Sequence, residues 1–164
     1  MKTSKTYRAT APSPFGPITL FSDGENLIAL ELPNSRRPRG AKGCTKNEAL
    51  PVFSVVRKQL ANYFAGKLKE FDLPLKPEGT EFQQRVWRVM RRIPYGKTQS
   101  YSELAARGKN PKAVRAVAMA NARNPLAIIV PCHRVIGKNG ALTGYSGGGI
   151  GRKAALLRLE GVEV

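Results

Sequence analysis

At 164 residues the chain is long enough to bury a core, as one large domain or two small ones, and its 41% hydrophobic content excludes a disordered chain. The 28 lysines and arginines against 11 acids leave a formal charge of +17, which calls for a polyanionic partner or an anionic surface, with nucleic acid the first candidate. Two cysteines and one histidine are too few for a disulfide framework and form no zinc-site spacing, and no Gly-rich phosphate loop is present, so neither metal nor other cofactor is expected.

The first stretch alternates and turns like antiparallel strands. Residues 7–10, 18–22 and 27–32 are strand candidates, and Asp23-Gly24-Glu25-Asn26 is a hairpin turn between the last two. Residues 33–49 are polar, carry Arg36, Arg37, Arg39 and Lys42, and predict an exposed loop in which Cys44 is a free surface thiol without a catalytic role. From Pro51 the period becomes helical: Val52, Val56, Leu60, Tyr63 and Phe64 share one face until Gly66. This sheet-plus-helix unit ends near Leu75, and Lys76-Pro77-Glu78-Gly79 links it to the rest, dividing the chain into 1–76 and 77–164. No apolar run approaches the roughly 20 residues that span a bilayer, and Met1-Lys2-Thr3-Ser4-Lys5 leads into no hydrophobic signal segment. No membrane partner is expected, and a reducing, cytoplasmic setting fits best.

The second unit opens with a capping box, Thr80 with Gln83. Phe82, Val86, Val89, Met90 and Ile93 form a helical stripe stopped by Pro94-Tyr95-Gly96, and Trp87 packs in this core, with base stacking as the alternative. Ser100 with Glu103 starts a short helix through Arg107, Gly108-Lys109-Asn110 turns the chain, and Asn110 and Pro111 open another helix running to about Arg123. Two helices across a tight turn on so basic a chain match a helix-turn-helix. The second of them is nearly bare, with Ala113, Ala116, Ala118, Ala120 and Ala122, while Arg115 projects from it. Small residues serve either close packing against a neighbouring helix or entry into a narrow groove, where one long cation can fill a vacated place in a base stack.

Residues 128–136 carry the chemistry. Their apolar flanks predict a buried strand, interrupted by Cys132 and the only histidine, His133, with Pro131 ending the ladder just before them. On its own a Cys-His dipeptide also fits a structural cysteine beside a surface histidine. A glycine-rich loop follows, Gly144-Tyr145-Ser146-Gly147-Gly148-Gly149, suited to close approach to a flat ligand or to a flexible surface loop. A last helix over 152–160 carries Leu156, Leu157 and Leu159, ends at Gly161 and places Glu160 at its end.

A cysteine is a useful nucleophile as thiolate, so it needs a base or positive surroundings. His133 supplies the base and Glu160 is the acid to orient it. A hydrolase would form a thioester that water cleaves. An alkyl transferase would form a thioether, with no comparable leaving group, and would be spent after one event. A third option is a lesion-binding protein without chemistry. Charge and helix-turn-helix favour DNA, and a damaged base must be rotated out of the stack to reach a buried thiol.

Pro131-Cys132-His133-Arg134-Val135-Ile136 resembles the active-site signature of the O6-alkylguanine-DNA alkyltransferases. The likeness extends through Phe82-Gln83-Gln84-Arg85-Val86-Trp87, Ile93-Pro94-Tyr95-Gly96, Ser100-Tyr101, Asn124-Pro125, Gly144-Tyr145-Ser146-Gly147-Gly148 and Leu156-Leu157, covering residues 80–161, with a poorer match before them. The resemblance implies an α/β (α+β) fold, with a ribonuclease-H-like antiparallel sheet and helix, then a mostly helical part whose helix-turn-helix enters the minor groove of double-stranded DNA. It implies a monomer that accepts the alkyl group of O6-alkylguanine, and of O4-alkylthymine, once and irreversibly. Cys132 would be the acceptor, His133 its base through a water, Glu160 the holder of His133, and Asn124 the brace of the turn into the site. Arg115 would replace the flipped nucleotide, and Tyr101 would crowd the phosphate and donate to the base. The Cys132 and Val135 carbonyls would accept from the guanine amine, the Ser146 N–H would face O6, and Tyr145 with Gly147 and its neighbours would wall the alkyl pocket. The setting would be cytoplasmic at the nucleoid, or nuclear in a eukaryote. Ala127 and Asn121 stand where some members carry proline and methionine, and Cys132 is retained where binding-only relatives carry tryptophan.

Overall fold

The computed structural model describes residues 5–35 and 43–164, so Arg36, Arg37, Arg39 and Lys42 of the expected loop lie outside the described residues. Three strands, β1 (Thr6–Ala11), β2 (Ile18–Ser22) and β3 (Leu27–Glu31), form the expected antiparallel meander. Asp23 closes the hairpin by accepting the backbone N–H groups of Glu25 (3.0 Å) and Asn26 (2.7 Å) on one carboxylate oxygen. Helix α1 (Pro51–Phe64) lies against β2, and its stripe of Val52, Phe53, Val56, Leu60 and Tyr63 joins Ala9, Ile18, Leu20 and Leu30 in one buried core.

The sheet is mixed rather than purely antiparallel. A short strand β4 (Cys44–Lys46) pairs parallel to β1, giving the order β3-β2-β1-β4, and Cys44 is half-buried on this edge rather than on an open loop. So short a strand carries no readable alternation, and only the proximity of β1 decides its pairing. The opposite edge is covered as well. Leu27 donates its N–H to the Pro74 carbonyl and Leu30 to that of Pro125, both at 2.8 Å, so β3 is bridged to the linker and to the turn leading into residues 126–135.

Helix α2 (Glu81–Met90) begins with the full capping box: Thr80 Oγ1 accepts from the Gln83 N–H and Gln83 Oε1 accepts from the Thr80 N–H. After the two-residue strand β5 (Gln99–Ser100), helix α3 (Tyr101–Arg107) is capped by Ser100 Oγ accepting from the Glu103 N–H at 3.1 Å. Helix α3 closes with Lys109 in the left-handed region (φ 63°) and the Asn110 N–H bonded to the Ala105 carbonyl at 3.0 Å. Asn110 therefore terminates α3 instead of capping its successor. Pro111 sits in a turn, whose φ it fits as well as a first helical position, and α4 (Val114–Ala122) starts at Val114 rather than Pro111. Helices α2, α3 and α4 pack on one another, and Trp87 is buried with its indole N–H donated to the Ala120 carbonyl at 2.9 Å. Of the small residues, Ala120 is buried in the core, while Ala116 and Ala122 are exposed, as is Arg115.

Residues 128–135 are buried as expected and Ile136 half-buried, but 128–136 are not one strand. Turns run from Ala127 to Ile129, Cys132–Arg134 form a 3-10 turn, and only β6 (Val135–Ile136) pairs, parallel to β5. Ile128 takes φ 72°, a strained value for a β-branched residue, and Pro131 has no N–H, so a ladder cannot propagate. Helix α5 spans Ile150–Leu159, starting earlier than residue 152, and Glu160 occupies its C-cap. No helix among the described residues is long and apolar enough to cross a membrane.

Candidate active site

Asn124 builds the turn that carries the cysteine. Its Nδ2 donates to the carbonyls of Val130 (2.7 Å) and Leu126 (3.4 Å), and its Oδ1 accepts from the Leu126 N–H (2.9 Å). One side chain thus satisfies buried backbone groups that a ladder would otherwise pair, and holds the strained turn at Ile128 closed.

Cys132, His133 and Arg134 are all buried, and α5 brings Glu160 beneath them. His133 Nε2 lies 2.7 Å from Glu160 Oε2, with both side chains fully buried. Arg134 grips the same carboxylate, Nε to Oε1 at 2.8 Å and Nη2 to Oε2 at 3.0 Å, and gives Nη1 to the Ile93 carbonyl at 2.7 Å. Burial alone would raise the Glu160 pKa, but the bonds from His133 and Arg134, with one from Tyr63, hold the carboxyl well below its usual range. Glu160 is therefore a fixed anion and an acceptor only, so the proton between it and His133 sits on Nε2. The other ring nitrogen, Nδ1, keeps its lone pair and has no hydrogen-bond partner among the described residues. Burial lowers the His133 pKa, with Glu160 opposing.

Burial pushes the Cys132 thiol pKa up, and Asn124, the Lys153 ammonium and Tyr145 work against that rise. Lys153 is fully buried on α5, and burial brings it down to about 8 against the attraction of the cysteine. Tyr145 is buried with its hydroxyl near Cys132, and that hydroxyl has no hydrogen bond of ordinary length among the described residues.

Two cavities meet at Cys132. One of about 180 Å³ is lined by Tyr101, Ala118, Asn121, Ala122, Tyr145 and Ser146, opening toward α4. The other, of about 320 Å³, reaches Cys132, Ser146 and Gly147 from the side of β3, Trp87 and Ala127. Tyr101 shares a hydrogen bond with Thr143 Oγ1 at 2.8 Å. Gly147 permits close packing: a Cβ there would fall 2.7 Å from the Tyr145 ring. Val135 is fully buried on β6, and its N–H occupies one lone pair of the Cys132 carbonyl. Cys132, His133, Glu160, Asn124, Tyr101, Tyr145, Ser146, Gly147 and Val135 thus gather at one place, whereas Arg115 stands apart, exposed on α4.

Three members of the cluster carried no signal of their own. Tyr63 looked like one more core position, Arg134 lay inside the signature without a partner, and Lys153 was an unremarked cation in the last helix. Among the described residues, no group of three or more histidines, cysteines and acids could hold a metal.

Fold and site together define a helix-turn-helix protein with a cysteine and a histidine buried beside the second helix of that motif. Two family descriptions match: the 6-O-methylguanine DNA methyltransferase ribonuclease-like domain over residues 6–77 and the DNA binding domain of the same family over residues 81–162. The chain belongs to the 6-O-methylguanine DNA methyltransferase family, DNA-binding suicide enzymes that repair DNA directly by drawing an alkyl group onto an active-site cysteine. It is 50% identical over 156 residues to the methylated-DNA–protein-cysteine methyltransferase of Methanosarcina acetivorans, covering 94% of this chain and 98% of that one. Identity to the Mycobacterium bovis enzyme of the same name is 51% over 154 residues, covering 94% and 91%. The crystal structures of Mycobacterium tuberculosis O6-methylguanine methyltransferase and of OGT from the same bacterium in complex with DNA each match with a TM-score of 0.86 at 50% identity, covering 94% of this chain and 92% of theirs. The enzyme of Pyrococcus kodakaraensis shares the fold at 21% identity and a TM-score of 0.56.

Proposed function

We propose that Cys132 accepts the alkyl group of O6-alkylguanine, and of O4-alkylthymine, from a base rotated out of duplex DNA. The observation that carries this reading is the buried Cys132–His133–Glu160 cluster opening on a cavity beside α4. His133 Nδ1 takes the thiol proton, through a water, while Glu160 holds the imidazole by Nε2. The thiolate attacks the alkyl carbon, the C–O6 bond breaks with its electrons on O6, and the base then takes up a proton and leaves as guanine. The thioether left on sulfur has no leaving group, so each molecule acts once.

Around this step Asn124 braces the turn and Lys153 supplies the positive charge that a buried thiolate needs. The Ser146 N–H faces O6 as it gains charge. The Cys132 carbonyl, with a lone pair to spare, and that of Val135 accept from the guanine amine. Tyr101 crowds the phosphate and donates to the base, and Tyr145 with Gly147 walls the alkyl group. Helix α4 enters the minor groove and Arg115 fills the vacated place in the stack. The chain acts as a monomer, in units 1–76 and 77–164, in the cytoplasm at the nucleoid or in a nucleus.

The test is intact mass after mixing folded, reduced protein with an O6-methylguanine duplex. One methyl group appears on the peptide containing Cys132 and on no other. Cys132→Ala retains duplex binding and shows no adduct. An unmodified Cys132, or turnover beyond one methyl per molecule, would overturn the reading.

A further inference from the structure

Glu160 is held by an element far from it in sequence. Tyr63, on α1, donates its hydroxyl to Glu160 Oε2 at 2.6 Å, and both side chains are buried. That oxygen is the one facing His133 Nε2. Gly96 gives its N–H to the other, Oε1, at 3.2 Å. The ring of Tyr63 is clasped edge-on by Phe64 and Tyr95 and packs against Phe71, so its hydroxyl has one direction available.

We propose that Tyr63 is a positioning residue for alkyl transfer: its hydroxyl sets Glu160 Oε2 against His133, which makes the N-terminal sheet-and-helix part a working component of the relay. Arg134 alone does not do this, because its fork grips both carboxylate oxygens and favours neither. The single donor of Tyr63 selects one oxygen. A carboxylate at the C-cap of α5 also sits at the negative end of a helix, where an anion is disfavoured, so donors from outside the helix are needed to keep it charged. Burial, then the charge of Glu160, holds the phenol protonated, so Tyr63 remains a donor and never competes for the His133 proton.

The titratable and charged groups around His133 and Glu160 are Tyr63 from α1, Arg134 from the 3-10 turn, Lys153 from α5 and the neighbouring Cys132, with Tyr95 from the turn after α2 behind Tyr63 and Arg134. The two tyrosines can lose a polar atom with least change of volume, and of the two it is Tyr63 that bonds Glu160, the Tyr95 hydroxyl donating to the Leu159 carbonyl instead. Without the Tyr63 hydroxyl, the Glu160 charge is less dispersed and attracts a proton on His133 more strongly, so the His133 titration moves upward.

This inference rests on the relay reading of His133 and Glu160. The chain has one histidine, so its ring resonances are unambiguous. Tyr63→Phe keeps the ring packing. With folding verified by a thermal melt, the His133 midpoint followed by ¹⁵N NMR should rise by roughly one pH unit, the scale of one lost charge-assisted hydrogen bond. The single-turnover rate onto an O6-methylguanine duplex should fall about tenfold, and the loss should vanish when His133 is already Gln. Phe71→Leu thins the packing on one side of the ring while Phe64 and Tyr95 still clasp it edge-on, so it should lower the melting temperature and leave the His133 midpoint in place. A Tyr63→Phe protein with unchanged titration and rate, or one slowed equally in the His133→Gln background, would make Tyr63 a packing residue and sink the inference. Failure of the underlying relay looks different: His133→Gln itself would then transfer at the wild-type rate.

Discussion

Lys153 is the residue at which stability and chemistry oppose each other. A lysine with no exposed surface and only a 3.5 Å approach to the Thr143 carbonyl is poorly compensated, and its pKa falls from 10.5 to about 8. The folded chain then binds this proton less tightly than the unfolded chain does. The penalty, on the order of 3 kcal/mol, is present in full below pH ~8 and fades as pH rises toward ~10.5. Lys153→Met should therefore raise the melting temperature at pH 7, by an amount that shrinks in melts at pH 10. The same variant should transfer the alkyl group about tenfold more slowly or worse, because the thiolate loses its neighbouring cation. A variant no more stable at pH 7 would show that the burial of Lys153 carries no such penalty. Glu160 shows the opposite balance: as much buried, it is surrounded by donors on both oxygens and stays charged.

At the scale of elements, the turn between α3 and α4 departs from what its residues favour. Gly108 has an ordinary φ of −77°, while Lys109 next to it takes the left-handed one at 63°. The glycine is thus one position away from where the backbone would use it. Lys109→Gly should stabilise the protein by up to about 1 kcal/mol, less the entropy a glycine adds to the unfolded chain. Urea unfolding checks this, and a loss of stability would mean that Lys109 makes a contact worth more than its strain. The turn at Ile128 tolerates a similar strain for a different reason. There Asn124 bonds three backbone groups across the bend, so relaxing it would break bonds in a site where water cannot replace them.

On the scale of the whole molecule, charge and burial divide the labour. The +17 charge gives long-range attraction to a polyanion, and under the proposed function the buried cluster beneath Cys132 acts at short range on a base already inside. Affinity for undamaged duplex should fall about tenfold or more between ~50 and ~200 mM salt, since even about two phosphate contacts produce that slope. A flat salt dependence in a fluorescence-anisotropy titration would mean that the positive charge serves another purpose. The two parts of the chain are not independent either: β3 is bridged to the turn after α4, and α1 delivers Tyr63 to Glu160.

The sequence alone determined whatever rests on local physics or on charge. Caps at Thr80 and Ser100, the hairpin at Asp23, the stripes of α1 and α2 and a polyanionic partner were all legible, because each depends on residues a few positions apart or on a sum over the chain. The Cys132–His133 pair and Glu160 stood out in the sequence as candidates, and the structure brings His133 and Glu160 into contact beside Cys132. Tertiary structure decided what depends on distance in space. It turned an apolar run at 128–136 into turns and a 3-10 helix, since apolarity specifies burial but not the hydrogen-bonding partner, and here an asparagine side chain supplies it. It paired β4 with β1, too short a strand to show a period. Above all it brought Tyr63, Arg134 and Lys153 to the site. A buried tyrosine and a buried aliphatic look alike in a helical stripe, and only the folded chain shows where the hydroxyl ends.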